Sequence, residues 1–386
     1  YIFKKMEVSK TSNIDKAEIK SDYIFQKIFK HLQYKKLLQI IKYNNKCKNK
    51  LNISKKDYKE YTDIEIEIIP SSDRKGKFIN IFNEDIESYF HIYFNDNKEE
   101  IKCYNLTEND KVTKIKLIIN YQIQSLKALF KECKIIYSIE FKKFNRKNIT
   151  NMSGIFFQCS ALEQIKFSHF NSNNVTDMSY MFAQCLFLKE LDLSNVNTKN
   201  VVDMSFMFSE CYNIEEINVN NFITDNVINM CSMFYGCNEL ENINLSNFNT
   251  ENVIDMSFMF YGCESLKELD LSNFKTNNLK DLVQIFSECK SLKKLDVSNF
   301  KTENVTDMSE MFHNCPSLQQ LDLSNFNTDK VINMNRMFSK CFSLGKLDIS
   351  NFNIDKVIDM DEIFSMCLFL QDLKLSKSII NNKMAL

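Results

Sequence analysis

The sequence predicts an α/β solenoid in which ten coils of 26 residues stack on one another. The first observation is a row of ten cysteines that recur every 26 residues from Cys133 to Cys367, without an insertion or deletion. A fixed period of about 20 to 50 residues is the signature of stacked coils, and a constant length keeps buried side chains in register. The second observation is that each unit contains a short apolar strand pattern followed by a segment rich in Met and Phe. We therefore expect a parallel sheet on the concave face and short helices on the convex face.

The solenoid is expected at residues 123–376, with two smaller regions before it and a short polar tail at 377–386. Residues 1–60 contain sixteen Lys against six Asp or Glu, a net charge of about +10, and show helical periodicity. Residues 61–122 contain alternating apolar segments such as 64–69, which predict a small β domain of about five strands. We expect this domain to cap the solenoid, because the first coil matches the repeat poorly, as terminal coils do.

Residues 263–288 show how one coil is built. Within it, residues 266–274 follow the L-x-x-L-x-L pattern of a leucine-rich repeat strand. Strand alternation points Leu269 and Leu271 inward, so that intervening residues such as Asp270 point outward. Because successive coils pair these strands, each exposed position becomes a row of side chains along the solenoid.

The segment before each cysteine predicts a short helix. In residues 255–263, Asp255 is placed to cap such a helix, and the apolar residues that follow have the spacing of one helix face. The residues on that face are Met256, Met259, Phe260 and Cys263. We interpret the corresponding rows of Met and Phe as the core, and not as cofactor-binding residues.

Ten of the thirteen cysteines lie in this apolar row, where Cys acts as a small buried side chain. Coils with helical sides would lie about 8–10 Å apart, beyond the ~7 Å separation of Cα atoms that a disulfide allows. We therefore expect free thiols, which suit a reducing compartment. No signal peptide is visible after Tyr1, so a cytoplasmic location is favoured, with the cell surface as the alternative.

The repeat unit resembles the BspA-type leucine-rich repeat. The shared motif is LxxLDLSNFNTxNVxDMSxMFxxC, as in residues 266–274 and 250–263, and the similarity covers residues 150–375 and, more weakly, 125–149. The resemblance implies a right-handed solenoid that is used for binding. The best-known members of this group are adhesins, so a cell-surface adhesin is one functional alternative.

Residues 21–45 are similar to an F-box, in which a helix with an IFxxL run is followed by a second helix. This resemblance implies that the segment docks a Skp1-like adaptor and that the chain is a substrate adaptor of a ubiquitin ligase. The docking residues would be Ile24, Phe25, Ile28, Phe29 and Leu32. The simpler interpretation is a helical cap or an oligomerisation segment.

The central exposed position of the strands predicts the binding surface. It is Asp or Asn in seven consecutive coils, with neighbours about 4.8 Å apart. Adjacent Asp at that distance repel each other by about 0.9 kcal/mol in bulk solvent, so water, hydrogen bonds from Ser and Asn, a divalent cation or a basic protein partner must offset the charge. The candidate partner-binding residues are Asp192, Asn218, Asn244, Asp270, Asp296, Asp322 and Asp348.

The sequence contains no catalytic or cofactor-binding pattern. Its four His are scattered, its five Gly leave no phosphate-binding loop, and no Cys and His residues cluster with zinc-ligand spacing. The chain after residue 60 has a net charge of about −11, which disfavours nucleic acid on the solenoid, and no apolar run reaches the ~18 residues of a membrane span. We therefore expect a non-enzymatic protein-binding scaffold without cofactor or metal, with the ubiquitin-ligase adaptor and the adhesin as alternatives.

Overall fold

The computed structural model describes residues 63–81, 84–120, 122–168 and 170–381, and all of them belong to one compact unit. Within these residues no helix is long and apolar enough to cross a bilayer. The predicted basic head lies outside the described residues. So do its candidate docking residues Ile24, Phe25, Ile28, Phe29 and Leu32.

The first described region is a small antiparallel β domain. Its elements are β1 (Ile64–Pro70), β2 (Gly76–Lys77), the short helix α1 (Glu84–Glu87), β3 (Phe90–Phe94), β4 (Asn105–Leu106) and β5 (Ile115–Ile119). Strand β5 pairs with both β1 and β3, and β2 pairs with β4. Alternate residues of β1 and β5 are buried, so one face of this sheet packs into the core.

The sheet of the β domain continues into the solenoid. The free edge of β1 pairs antiparallel with β6 (Ile136–Lys143), the strand of the first coil, and places Ile68 opposite Ile139. Strand β6 then pairs in parallel with β7 (Gln164–Lys166) of the next coil. The order of the five strands is therefore β3-β5-β1-β6-β7, and the first coil has a neighbour on both sides.

The later coils add short strands that pair in parallel. Each residue lies opposite the residue 26 positions later, as Leu269 lies opposite Leu295, so the prediction of a solenoid with stacked strands is confirmed. Residues 242–244 and 320–322 occupy the same repeat position without forming regular strands, and the sheet is discontinuous there. The remaining elements are β8 (Glu190–Asp192), β9 (Glu216–Asn218), β10 (Glu268–Asp270), β11 (Lys294–Asp296), β12 (Lys346–Ile349), β13 (Asp372–Leu375) and the helix α2 (Lys377–Asn381).

The predicted convex helices are not present in the described residues, and stacked turns take their place. In residues 204–211, the amides of the even-numbered residues donate to carbonyls of the next coil at 2.6–3.0 Å. The amides of residues 207, 209 and 211 donate within the coil, to the carbonyl three residues earlier. Backbone bridges also join one position of every coil to the next, from Ser125 to Asp359. The backbone polar groups are thus satisfied between coils and not inside a helix.

The helix prediction is wrong because apolar residues three and four apart also fit this pair of turns. Phe206 and Glu210 both have a φ of 57°, and the same two positions have a positive φ in every coil. A residue in the left-handed region interrupts a right-handed helix and directs the following amide elsewhere. Gly236 and Gly262 occupy this position with a φ of 68°, a conformation that costs glycine little.

Rows of apolar side chains fill the interior. Phe208 stacks on Phe182 and on Phe234 with ring centroids 5.7 and 5.5 Å apart, so the coils lie closer together than the 8–10 Å expected for coils with helical sides. The distance argument for free thiols was therefore wrong, although every cysteine among the described residues is a free thiol. From Cys159 onward, each ladder thiol donates to a carbonyl of the preceding coil, as Cys211 Sγ does to the oxygen of Phe182 at 3.1 Å.

A row of buried Thr hydroxyls also joins the coils. Thr198 Oγ1 donates to the carbonyl of Ile223 at 3.0 Å and accepts a hydrogen bond from the amide of the same residue at 2.7 Å. One hydroxyl thus satisfies both a backbone donor and a backbone acceptor of the next coil. The same two bonds recur at Thr224, Thr250, Thr276, Thr302 and Thr328.

The β domain closes the first coil by taking the place of a preceding one. The backbone amide of Asn80 donates to the carbonyl of Leu129 at 2.7 Å. In later coils the equivalent carbonyl accepts from an amide of the preceding coil, as Ile155 accepts from Phe130. The side-chain amide of Asn80 donates to the carbonyls of Ala128 and Lys131. Two outward-facing carbonyls of the first turns, those of Leu129 and Lys131, are therefore bonded by the β domain.

Candidate binding surface on the strand face

The strand face is the surface formed by the outward side chains of β7 to β13 and of the equivalent positions between them. Strand β10 shows the arrangement, because Leu269 is buried while Glu268 and Asp270 are exposed. The exposed positions repeat in register, so the face consists of straight rows of polar side chains on a fixed backbone. A rigid surface of this kind holds its charges in place before any partner arrives.

The predicted partner-binding residues form one exposed row on this face. Each of them also has a structural role, because its side-chain Oδ1 accepts a hydrogen bond from the amide two residues later at 2.9–3.1 Å. This bond shapes the turn that leaves the strand, a function that Asp and Asn share. The residues in the row are Asp192, Asn218, Asn244, Asp270, Asp296, Asp322 and Asp348.

The same hydrogen bonds keep this row charged. Bonds from the Ser two residues later lower the pKa of Asp192, Asp270 and Asp322. In Asp348 the hydroxyl two residues later, and then Lys374 at 3.0 Å, lower the pKa to about 2. Stabilisation of the charged form by donors explains this direction. Among the described residues no group of three His, Cys, Asp or Glu side chains is arranged to hold a metal ion.

An open cavity of about 820 Å³ lies on the strand face beside this row, and its charged lining residues are all acidic. Glu190 and Glu216 lie directly opposite each other in the β8–β9 pair. Like charges in directly opposite positions destabilise a sheet. The acidic lining residues are Glu190, Glu215, Glu216, Glu239, Glu241 and Glu268, and all of them are exposed.

Lysines at the edge of the cavity neutralise only part of this charge. Lys267 bonds Glu241 at 2.6 Å, and Lys189 lies 3.7 Å from Glu215. Lys294 bonds Glu268 at 2.6 Å. Within the described residues, the carboxylates of Glu190, Glu216 and Glu239 form no ion pair, so the cavity keeps excess negative charge.

A second open cavity, of about 600 Å³, lies farther along the same face. Asp270, Asp296 and Asp322 line it together with Glu268 and Lys294. The predicted row therefore contributes most of its acidic lining. In contrast, the glutamates of the larger cavity were missed, because they come from several repeat positions and each looks like an ordinary exposed charge. Adding the charges of adjacent positions over three coils would have shown the concentration near residues 190–241.

The ladder cysteines are potential nucleophiles of the solenoid, but nine of the ten are buried and therefore inaccessible. Cys211 and Cys263 are fully buried, and burial raises the pKa of each thiol to about 12. A thiol must ionise to react, so these side chains stay neutral and unreactive near neutral pH. The strand face exposes carboxylates, amides, hydroxyls and the ammonium groups of lysines such as Lys294 and Lys374, which suits non-covalent binding.

Comparison with known proteins places the repeat region in a family. A sequence model of the family described as "Mycoplasma protein of unknown function, DUF285" matches residues 124–222, 210–295 and 281–384. No curated protein matches the chain. A solved structure of a leucine-rich-repeat protein of Leptospira interrogans is similar, at 15% identity over 61% of this chain and 72% of that chain, with a TM-score of 0.21. Because the three family matches cover well over half of the chain, it belongs to the DUF285 family.

Proposed function

We propose that this chain is a non-enzymatic scaffold whose strand face binds a protein partner with a basic surface. The observation that carries the proposal is the pair of Glu190 and Glu216, which oppose each other in a cavity without a lining Lys or Arg. Two like charges about 4.8 Å apart cost roughly 0.9 kcal/mol even in bulk-like solvent. A bound cationic side chain would remove that cost and add attraction.

The rest of the strand face supports the same partner chemistry. The predicted row adds carboxylates whose pKa values are lowered, so the face remains negative well below neutral pH. A rigid surface of one charge sign speeds the approach of an oppositely charged partner and excludes partners of the same sign. The seven residues Asp192, Asn218, Asn244, Asp270, Asp296, Asp322 and Asp348 are proposed as the polar contacts around the acidic cavity.

A direct test uses a Lys-rich synthetic peptide, with a Glu-rich peptide of equal length as the reference. The test variant is Glu190→Gln, Glu216→Gln and Glu239→Gln together, which removes three negative charges of the cavity while keeping side-chain size. We expect the Lys-rich peptide to bind the unchanged protein, with an affinity that falls as salt rises, and to bind the variant at least about tenfold more weakly.

The matched control removes three exposed carboxylates away from the strand face, through Glu99→Gln, Glu108→Gln and Glu303→Gln. It changes the net charge by the same amount, so it should retain most of the binding. Equal weakening in both variants would mean that overall charge, and not the cavity, determines binding, and the proposal would then be wrong.

Purification of the natural partner from the native cells distinguishes the finer functions. Recovery of a Skp1-like protein and a cullin would identify a ubiquitin-ligase adaptor and assign a role to residues 21–45, which the F-box resemblance implies. Recovery of an extracellular ligand would support an adhesin of the BspA type. In either case the partner should be lost from the Glu190/Glu216/Glu239 variant and retained by the control.

A further inference from the structure

Part of the core of the last described coil is uncovered. Phe338 and Cys341 in the preceding coil are 0% exposed, whereas the equivalent Phe364 and Cys367 are partly exposed. Leu370 and Leu373 are partly exposed as well. The difference arises because each earlier coil is covered by the next one, and no further coil follows among the described residues. This part of the apolar cross-section therefore reaches the surface of the described structure.

The most exposed large apolar side chains surround the same cross-section. Among the described residues, every such side chain that is more than half exposed lies in this part of the chain. A concentrated apolar patch marks an interaction surface far better than scattered apolar residues do. The residues, with their exposed fractions, are Ile358 (86%), Met366 (51%), Leu368 (70%), Phe369 (62%) and Ile380 (61%).

The opposite end of the described solenoid is built differently from this one. There, β1 pairs with β6, Asn80 bonds the carbonyls of Leu129 and Lys131, and the sheet ends at the edge strand β3. That end therefore does not present an open coil like the last one. Contact between two open ends joins identical surfaces, which produces a closed dimer with two-fold symmetry.

Strand β13 is complementary to itself. Its sequence is Asp372-Leu373-Lys374-Leu375, and one edge pairs with β12 while the other edge has no strand neighbour among the described residues. If two copies of β13 pair antiparallel about Leu373, Asp372 of each copy lies opposite Lys374 of the other. Opposite charges in directly facing positions stabilise antiparallel strands, and two-fold symmetry forms this pair twice. Leu373 then faces Leu373 and continues the core across the contact.

We propose that two copies of this chain associate through their open C-terminal coils, with the two β13 strands paired antiparallel about Leu373. The same register brings the apolar patches together, because residue 377 of one copy lies level with residue 369 of the other. Helix α2, which carries exposed Ile380, is thereby placed beside Leu368 and Phe369 of the second copy. Charge and apolar surface are thus both complementary in one arrangement.

The turns of the last coil determine which part of the dimer contact contains water. In earlier coils the amides equivalent to those of Met360, Glu362, Phe364 and Met366 donate to the next coil, whereas here they have no backbone acceptor among the described residues. In a two-fold contact these donors face donors, so they bond water at the rim. Direct backbone pairing is therefore made by the strands.

The experiment measures the molar mass of the full chain by analytical ultracentrifugation over a range of concentrations. We expect a monomer–dimer equilibrium, and we expect Leu368→Glu with Phe369→Glu to abolish the dimer. The control is Ile254→Glu, which places the same charge on a side chain that is 43% exposed in the middle of the solenoid. It should leave the dimer intact. A monomer at every concentration, or a dimer that survives the Leu368/Phe369 change, would overturn the proposal.

Charge exchange tests the strand register. Asp372→Lys and Lys374→Asp, made separately, should each weaken the dimer by about tenfold, because each places like charges opposite each other twice. Combining the two changes restores opposite charges and should recover dimerisation. Changing Lys374 also removes its ion pair with Asp348 within the same chain. The Asp348→Asn variant measures the effect of that loss by itself. A double variant as weak as the single ones would exclude this register.

Protection of Cys367 gives an independent readout. Its thiol is partly exposed in one copy and lies in the cross-section that the dimer covers. Alkylation of Cys367 should therefore slow as protein concentration rises, while alkylation of partly exposed Cys231 should not change. Equal rates at low and high concentration in a dimeric sample would place the contact elsewhere. The strand-face variant at Glu190, Glu216 and Glu239 should remain dimeric, which separates this proposal from the proposed function.

Discussion

Replacing Thr250 with Val tests whether buried hydroxyls hold the coils together. Thr250 is 0% exposed, and its Oγ1 donates to the carbonyl of Lys275 at 2.9 Å while accepting from the amide of Lys275 at 2.8 Å. Valine has nearly the same shape but can form neither bond. The substitution therefore leaves the part-buried backbone N–H and C=O of Lys275 without these partners, and it creates no large cavity.

The size of the effect follows from these two groups. A buried polar group that loses its partner costs about 1–3 kcal/mol, so two groups cost about 2–6 kcal/mol. The methyl group of Val that replaces the hydroxyl adds roughly 1 kcal/mol to the stability through apolar burial. We therefore expect Thr250→Val to lower the free energy of unfolding by about 1–5 kcal/mol. Thr250→Ser retains both bonds and should cost only about 1 kcal/mol, for the lost methyl group.

The chain itself contains a precedent for the Ser variant. Ser172 Oγ donates to the carbonyl of Asn197 at 2.9 Å and accepts from its amide at 2.8 Å, the same two bonds that Thr forms in later coils. The second control is Thr306→Val, at an exposed Thr whose hydroxyl makes one long bond of 3.4 Å to Lys280. This change should be nearly neutral, because water can satisfy the groups it exposes.

Two measurements are needed, because coils of a solenoid need not unfold together. Urea unfolding monitored by circular dichroism gives the stability, and hydrogen exchange at the amide of Lys275 gives the local effect. Thr250→Val should shift the urea midpoint downward and speed exchange at that amide. If Thr250→Val unfolds at the same urea concentration as Thr250→Ser, the hydroxyl bonds do not hold the coils and the reasoning fails.

The remaining predictions concern charge and thiols inside the solenoid. Burial, then Asp307 and Asp255, raises the pKa of Asp281, so its charged form destabilises the fold, and stability should rise as pH falls through this raised pKa toward the unfolded value. Asp281→Asn removes this charge but keeps the side-chain acceptor for the amide of Val283. It should therefore stabilise the protein by about 1 kcal/mol at neutral pH and by little in acid. A urea midpoint that does not rise at neutral pH would contradict this. In native protein the buried ladder thiols should resist alkylation until urea unfolds the chain, as mass spectrometry can show, and rapid labelling of them would contradict the packing described here.

The repeat period predicted much of the fold from sequence. A constant spacing of 26 residues makes Leu269 and Leu295 neighbours, and the structure pairs them in that register. It also predicted that Asp270 and Asp296 lie in one exposed row. These relations depend only on counting, because equal coils that stack in register place equal positions side by side.

Local conformation within a coil could not be obtained in the same way. The spacing of Met204, Met207, Phe208 and Cys211 is that of a helix face, but two turns with left-handed residues produce the same inward row. The sequence of a single coil does not distinguish a helix from this pair of turns. The turns are preferred here because their alternate amides find acceptors in the next coil, and that acceptor exists only after the coils have stacked.

The candidate binding surface, too, could be predicted only in part from the sequence. Sequence alone determined that the chain forms stacked coils and that certain Asp and Asn side chains share an exposed row. Only the tertiary structure decided that Glu190 and Glu216 face each other in one cavity, that Thr250 serves the backbone of Lys275, and that the last coil is uncovered. The physical reason is that periodicity states which positions are adjacent, whereas charge concentration, hydrogen-bond satisfaction and exposure depend on everything around a group in three dimensions.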